Sequence, residues 1–542
     1  MYYFRWLLGF LHLLVWGSII LVHAIPPPDP VQCNRTICTL SNSYGAWGDR
    51  KDCSVKSVVY PTTEEELRSA VAHANKNKLK VKVVSQFSHT IPKLACPSSL
   101  GHHDSLLIST AKYDSSIEID SVNLAVTADA GVALRDVIDK VEEAGLSLAA
   151  APYWEGVSVA GMISTGAHGS SCMIVPGNES EGYAKVKQIG AQDQLLNAAK
   201  VSLGILGVIS KLSLKRGFKR SITYNFTNDS SIENNFMEHG KKYEFGDITW
   251  YPSKHTAVYR YDSRVPMETP SDGINDFFGF QSNEILISKS VRASEKLFES
   301  TKSVNGECTL ADTTLWYKKQ IGNGLKNNGQ IFTGYPVVGR QGKRQTSGSC
   351  LYSPKTRIDA SYFIKDVKKL RDLKPENFCG IDHYNGFLIR YIKASKAYLG
   401  QSEDSIVVDF NYYRADEAST PRLNQDVMEE VEQMAFFKYG ARPHWAKNRN
   451  LAFLKVQSKY LNFNKFIAVK KQLDPENMLS SEWSDEILFG KEGVGSDGCA
   501  LEGLCICSED RHCSPSKGYF CKPGLVYSEA RVCRHSPSSS NL

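Results

Sequence analysis

Ser158-Val-Ala-Gly-Met-Ile-Ser-Thr-Gly-Ala-His-Gly169 is the stretch on which the reading of the whole chain turns. Gly161, Gly166 and Gly169 stand among small residues, and Thr165 and His168 are the polar exceptions. Without a Cβ, a glycine lets the backbone come close to a bulky ligand. The amides of such a loop can then face an anionic group such as a pyrophosphate. The spacing is neither the G-x-G-x-x-G of dinucleotide folds nor the G-x-x-x-x-G-K of phosphate loops. By composition alone it fits tight packing as well as a ligand cradle.

The segments around it mix short strands and helices. Upstream, Val58–Val71 reads as a strand, a turn and a helix capped by Thr63, with Glu66 three residues on completing a capping box. Leu79–Val84 alternates and predicts a strand, and Leu106–Ile108, Ile117–Ile119 and Leu124–Ala128 predict further short ones. Ala133–Ala144 reads as a helix stopped by Gly145. Downstream, Asp409–Tyr413 reads as a strand and Gln425–Tyr439 as an amphipathic helix. This pattern predicts an α+β fold, and a chain of 542 residues exceeds one ordinary core. With 42% hydrophobic and 23% charged residues the composition is globular. The net charge of +6 comes without any Lys/Arg block, which argues against a nucleic-acid partner.

The opening stretch resembles the V-x-x-G-x-I-A-T-G-x-H-G loop that lies along FAD in flavin enzymes of the vanillyl-alcohol oxidase type. Pro443-His-Trp-Ala-Lys-Asn448 resembles the H-W-x-K signature of the sugar-lactone oxidoreductases, and Phe245–Pro252 and Gly386–Tyr391 resemble segments of the same family. The resemblance runs from about Ser54 to Leu488 and is strongest to the secreted plant L-gulonolactone oxidase-like branch. It implies a two-part FAD-binding domain over residues 54–219 and an α+β substrate domain over 220–489. A linker, 490–498, and a small disulfide-rich tail, 499–542, would follow.

The resemblance also assigns residues. Gly161, Thr165, Gly166, His168 and Gly169 would line FAD, and Leu203–Ile209, with Gly204, Gly207 and Ile209, would border the flavin. Relatives attach the flavin through a histidine. Alignment on Ala95-Cys96 puts His89 at that position, whereas alignment on Val83-Val84 puts Ser88 there, so covalent and non-covalent attachment both stay open. Arg390 would stabilise the negative charge that develops on the flavin as hydride arrives. His444 would hold or deprotonate a substrate hydroxyl, and Lys447 would donate to ligand or reduced flavin. The family pattern E-x-R is Leu388-Ile-Arg390 here, so the acid that contacts substrate hydroxyls is missing. Asp382 is a candidate replacement; if the site simply lacks a substrate contact, restoring an acid at 388 should raise turnover, at a cost in stability because a buried carboxylate needs a partner. No metal is expected: His102-His103 has no third ligand in view.

The ends of the chain fit an oxidising compartment. Arg5 precedes an uncharged apolar run, Trp6–Val22; Val22-His-Ala24 fits a cleavage site, and Ile25–Pro30 cannot continue a helix. A signal peptide, 1–24, a Cys-containing segment, 25–53, secretion and no lasting membrane insertion are the expectation. Of 14 cysteines, six fall between Cys499 and Cys533, and four more are Cys33, Cys38, Cys53 and Cys96. They read as disulfides, and six cysteines permit about 15 pairings among which sequence cannot choose. Asn34, Asn178, Asn225 and Asn228 lie in glycosylation sequons. The expected activity is oxidation of an aldonolactone, L-gulono-1,4-lactone, towards L-ascorbate, with FAD reoxidised by O2 or another acceptor. Another sugar or alcohol substrate, or a weakly catalytic extracellular carbohydrate-binding role, remains the alternative.

Overall fold

Thr63 starts the first long helix, Glu64–Lys76, by accepting from the Glu66 amide at 3.2 Å. The Glu66 carboxylate reaches one residue further back than a capping box requires, to the Thr62 amide at 2.7 Å and hydroxyl at 2.8 Å. The computed structural model describes residues 31–40, 53–85, 92–97, 104–122, 125–144, 157–170, 194–209, 211–215, 219–265, 284–324, 330–333, 345–352, 356–412, 415, 417–418, 420–445, 449–490 and 495–536. His89, Lys447, Asn178, Gly145 and His102-His103 lie outside them.

Among the described residues the first half of the chain holds three small sheets, one of them pairing Val31–Cys33, Cys38–Leu40 and Cys53–Val55. Ser105–Ser109 is the centre of a parallel sheet, flanked by Ser57–Val59 and Lys80–Val84. Ala125–Asp129 is the centre of an antiparallel one, flanked by Ile117–Asp120 and Lys211–Lys215. Helix Leu134–Glu143 buries Leu134, Val137, Ile138 and Val141, the i, i+3, i+4, i+7 stripe of an amphipathic helix. That stripe packs on Val126 and Ala128 and on Val159, Met162 and Ile163 of the opening stretch.

The second half is built on an eight-stranded sheet. Its inner strands run in the order Lys219–Asn228, Thr256–Val265, Phe245–Tyr251, Phe387–Ile392, Ser405–Tyr412 and Gln345–Tyr352, every pair antiparallel. Period-2 alternation divides the sheet into two chemically different faces. Ile248, Trp250, Phe387, Ile389, Tyr391, Val408 and Phe410 join one apolar core, which helices Ile232–Lys242, Thr356–Leu373 and Gln425–Gln433 cover. The opposite face carries Arg260, Asp262, Asp247, Arg390 and Asp409, all buried. Val201, Leu203, Ile205 and Leu206 belong to the same apolar core, so the segment expected to border the flavin is packed into the second half.

The tail folds as a disulfide-rich module. Its bridges are Cys499–Cys505, Cys507–Cys521 and Cys513–Cys533, and its hairpin pairs Tyr519–Pro523 with Arg531–His535. Cys33–Cys38, Cys53–Cys96 and Cys308–Cys379 are bridged as well. The module docks on helix Gln425–Gln433, whose Glu430 accepts from the amides of Leu525, Val526 and Tyr527 at 2.7, 2.6 and 2.9 Å. This corrects the amphipathic reading. Glu429, Glu430, Glu432 and Gln433 are as buried as Val427 and Val431: the module engages Glu430 and Gln433, and Arg449 pairs with Glu429 and Glu432. The α-helix also ends at Gln433 and continues as a π-helical turn, Met434–Lys438. No helix among the described residues is long and apolar enough to cross a membrane.

Candidate active site and flavin cradle

Strand Phe387–Ile392 sends Phe387, Ile389 and Tyr391 into the core and leaves Leu388 and Arg390 on the opposite face. In register, Arg390 lies between Asp247 and Val407, and Leu388 between Thr249 and Asp409. Asp409 is thus the diagonal neighbour of Arg390, and its Oδ2 forms a buried ion pair with Arg390 Nη2. Asp247 is engaged from the other side: Arg260 Nη1 donates to it at 2.9 Å while Arg260 Nε and Nη2 hold Asp262 at 3.0 and 2.6 Å.

The opening stretch reaches this face directly. Arg390 Nη1 donates to the His168 carbonyl at 3.2 Å. Two residues on, the Ser170 hydroxyl donates to the Gly246 carbonyl at 2.5 Å and accepts from the Tyr391 amide at 3.1 Å. The ladder between strands Phe245–Tyr251 and Phe387–Ile392 stops at the Asp247–Arg390 pair, and Ser170 supplies the next bonds to both strands. His168 Nδ1 donates to the Gly169 carbonyl at 2.9 Å, and its ring lies 5.4 Å from that of His444.

His444 and Trp445 of the H-W-x-K segment part company. Trp445 is sunk in the core, its Nε1 donating to the Leu399 carbonyl at 2.8 Å and its ring stacked on Tyr460 at 5.2 Å. His444 is buried too, with its ring 5.4 Å from that of His168. Beyond the segment, Arg449 pairs with Glu432, and the Leu451 amide donates to Gly503 of the tail module at 3.1 Å.

The small-residue stretch begins as a short helix, Val159–Ser164, capped by Ser158, whose hydroxyl accepts from the Gly161 amide at 3.2 Å. Thr165 turns its hydroxyl back to the Gly161 carbonyl at 2.9 Å, and Gly166 takes φ +66°. The Leu203 amide donates to the Ser164 carbonyl at 2.9 Å, which lays the second glycine segment beside the first. Gly204 adopts φ +62°, and a Cβ on Gly207 would meet nothing within 4 Å. An exposed glycine with open space beside it, followed by half-buried Val208 and Ile209, fits a backbone against which a flat cofactor lies. Buried Lys82 holds this turn from the far side, its Nζ 2.8 Å from the Gly204 carbonyl and 3.1 Å from that of Leu479. Burial lowers the Lys82 pKa to about 7.

Asp382 ends the short helix Cys379–Asp382, and its Oδ2 accepts from the Ser253 amide at 2.8 Å and hydroxyl at 2.5 Å. Asp409 is the acid that reaches Arg390, and sequence reasoning saw it only as a strand residue. A charged residue within the apolar run Ile406-Val-Val-Asp-Phe410 was its signal. Glu295, Glu307 and His383 lie close enough together to hold a cation, yet Arg422 already fills that role for Glu295.

Three family descriptions match the chain: FAD binding domain at residues 55–178, D-arabinono-1,4-lactone oxidase at 383–487, and L-gulonolactone oxidase 2-like C-terminal domain at 496–535. L-gulonolactone oxidase 3 of Arabidopsis thaliana is 62% identical over 566 residues, covering 96% of this chain and 96% of that protein. The chain belongs to the L-gulonolactone oxidase family. It is an FAD-dependent oxidoreductase, and Gly161–Gly169 lies within the match to the FAD binding domain. L-gulonolactone oxidase 5 of the same plant is 42% identical, covering 99% of this chain and 98% of that protein. Among solved structures, cholesterol oxidase from B. sterolicum matches with a TM-score of 0.64 at 14% identity, covering 86% of this chain and all of that one. That likeness concerns the fold alone. The L-gulonolactone oxidase family thus accounts for the tail module as well as for the flavin and lactone-oxidase parts.

Proposed function

We propose that this chain is a secreted flavoprotein that oxidises L-gulono-1,4-lactone at its C2 hydroxyl, giving a 2-keto-lactone that rearranges to L-ascorbate. One contact carries the reading: Arg390 of the substrate sheet donates to the His168 carbonyl of the cofactor loop, which puts a buried cation where the two halves meet. When bound, FAD supplies the acceptor for the hydride that leaves C2. Arg390 stabilises the negative charge that builds up there, in a site where little water competes. His444, buried beside His168, takes the hydroxyl proton as the C2 carbonyl forms. Lys447 is the residue we propose as a further donor to ligand or reduced flavin, and His89 the one for covalent attachment. O2 or another acceptor then closes the cycle.

Secretion is supported by the apolar leader and by the six disulfides among the described residues. Asn34, Asn225 and Asn228 of the sequons are exposed, as glycan acceptors must be. Steady-state assays of the purified holoprotein against aldonolactones, with O2 and with artificial acceptors, test the substrate and the acceptor together. L-gulono-1,4-lactone should be turned over. If only non-lactone alcohols react, the substrate assignment is wrong. Acid precipitation tests the linkage: flavin should stay with the wild-type pellet and leave the His89→Ala pellet.

A further inference from the structure

The sheet face that bears Arg390 holds a second functional group. Leu388 and Asp409 are directly opposite each other on neighbouring strands, and both point away from the apolar core. Directly opposed residues bring their Cβ atoms to about 4.5–5.5 Å. Leu388 is half-buried, while Arg390 two residues along the strand and Asp409 across from it are buried, so of the three Leu388 is the most exposed. Of the two acids beside Arg390, Asp247 is held by Arg260 and Asp409 pairs with Arg390 itself.

We infer that Asp409 is the specificity-determining carboxylate of this site: it aims Arg390 and accepts a hydrogen bond from a ring hydroxyl of the bound lactone. The inference rests on the lactone-oxidase reading above. An ionised carboxylate offers about four lone-pair directions, so an ion pair with one guanidinium does not exhaust it. A carboxylate next to a guanidinium is a matched pair for a hydroxylated lactone, the acid accepting from a hydroxyl and the arginine donating to an oxygen. The Leu388 side chain across from the acid supplies an apolar wall for the ring's C–H surface. Asp409 thereby does from the facing strand what an acid at position 388 would do.

The test compares wild type with Asp409→Asn, which keeps the shape and removes the charge, and with Asp409→Glu as a charge-preserving second variant. Bound flavin and melting temperature are recorded first. Lactone affinity is then read from perturbation of the flavin spectrum, and kcat and KM are measured for L-gulono-1,4-lactone and its mono-deoxy analogues. Wild type should disfavour one analogue by about 10- to 150-fold, the range for a hydrogen bond to a charged group. Asp409→Asn should lose that discrimination, disfavouring the parent lactone while leaving the analogue little changed, and Asp409→Glu should re-rank the analogues. An equal loss on every analogue, or no loss, overturns the inference and leaves Asp409 a structural counter-ion. A flavin-loaded wild type that no lactone reduces would instead overturn the functional reading.

Discussion

Arg390 answers to two partners at once, the His168 carbonyl and the Asp409 carboxylate. Removing one half of a buried ion pair costs about 3–5 kcal/mol, so Arg390→Ala should melt earlier. Stopped-flow reduction should slow further, by roughly 10²–10³, the usual loss for one preorganised charge. Arg390→Lys keeps the charge but not the planar fork that spans both partners, and should recover stability better than rate. Wild-type reduction in flavin-loaded Arg390→Ala would make the arginine a counter-ion only. Leu388→Glu reverses an expectation drawn from sequence. Because Asp409 lies directly opposite, the new acid meets a like charge, worth about 0.2–1 kcal/mol against the fold. Lower melting temperature and no gain in turnover are expected, and a clear gain would show that the two acids do not share the site as ions. Arg390 and His444 were legible as motif residues. The Leu388–Asp409 register was not, because pairing across strands distant in sequence is set by the whole sheet.

Helix Gln425–Gln433 shows how an element's periodicity can be read correctly and its burial missed. Its polar positions are real, yet the tail module and Arg449 engage them, and the three amides at Leu525, Val526 and Tyr527 converge on one carboxylate, Glu430. Glu430→Ala leaves those partly buried amides without their acceptor, which weakens the docking of the module at this point. Amide hydrogen exchange at 525–527 should accelerate in the variant while the core strand Phe387–Ile392 keeps its protection. Equal protection in both proteins would mean that the module holds on through other contacts. The helix start at Thr63 and the strands around Ser105–Ser109 were readable because caps and alternation are local signals. Which of the permitted cysteine pairings forms was not, since it depends on how the module closes in space.

For the whole molecule, buried ionisable groups set a pH dependence. Burial raises Asp382 to about 7, against the Ser253 bonds that favour its charge, and raises Glu429 to about 7. Between their ordinary values near 4 and about 7, the folded protein keeps protons that the unfolded chain has released, so stability falls as pH rises. Lys82 works in the opposite sense above about 7, where the unfolded chain keeps a proton that the folded state lacks. Each group contributes a slope of at most about 1.4 kcal/mol per pH unit in its window. Asp382→Asn should therefore flatten the melting curve's pH dependence below neutrality, and an unchanged slope would place the titration elsewhere. The two halves of the molecule meet through Arg390, Ser170 and Lys82, and the function proposed above rests on that junction. Anaerobic mixing of the purified, flavin-loaded protein with L-gulono-1,4-lactone tests this most directly. The visible flavin band should bleach with saturable dependence on lactone, and should do so far more slowly in Arg390→Ala. A folded protein that binds no flavin, or whose flavin band is untouched by any aldonolactone, would contradict it.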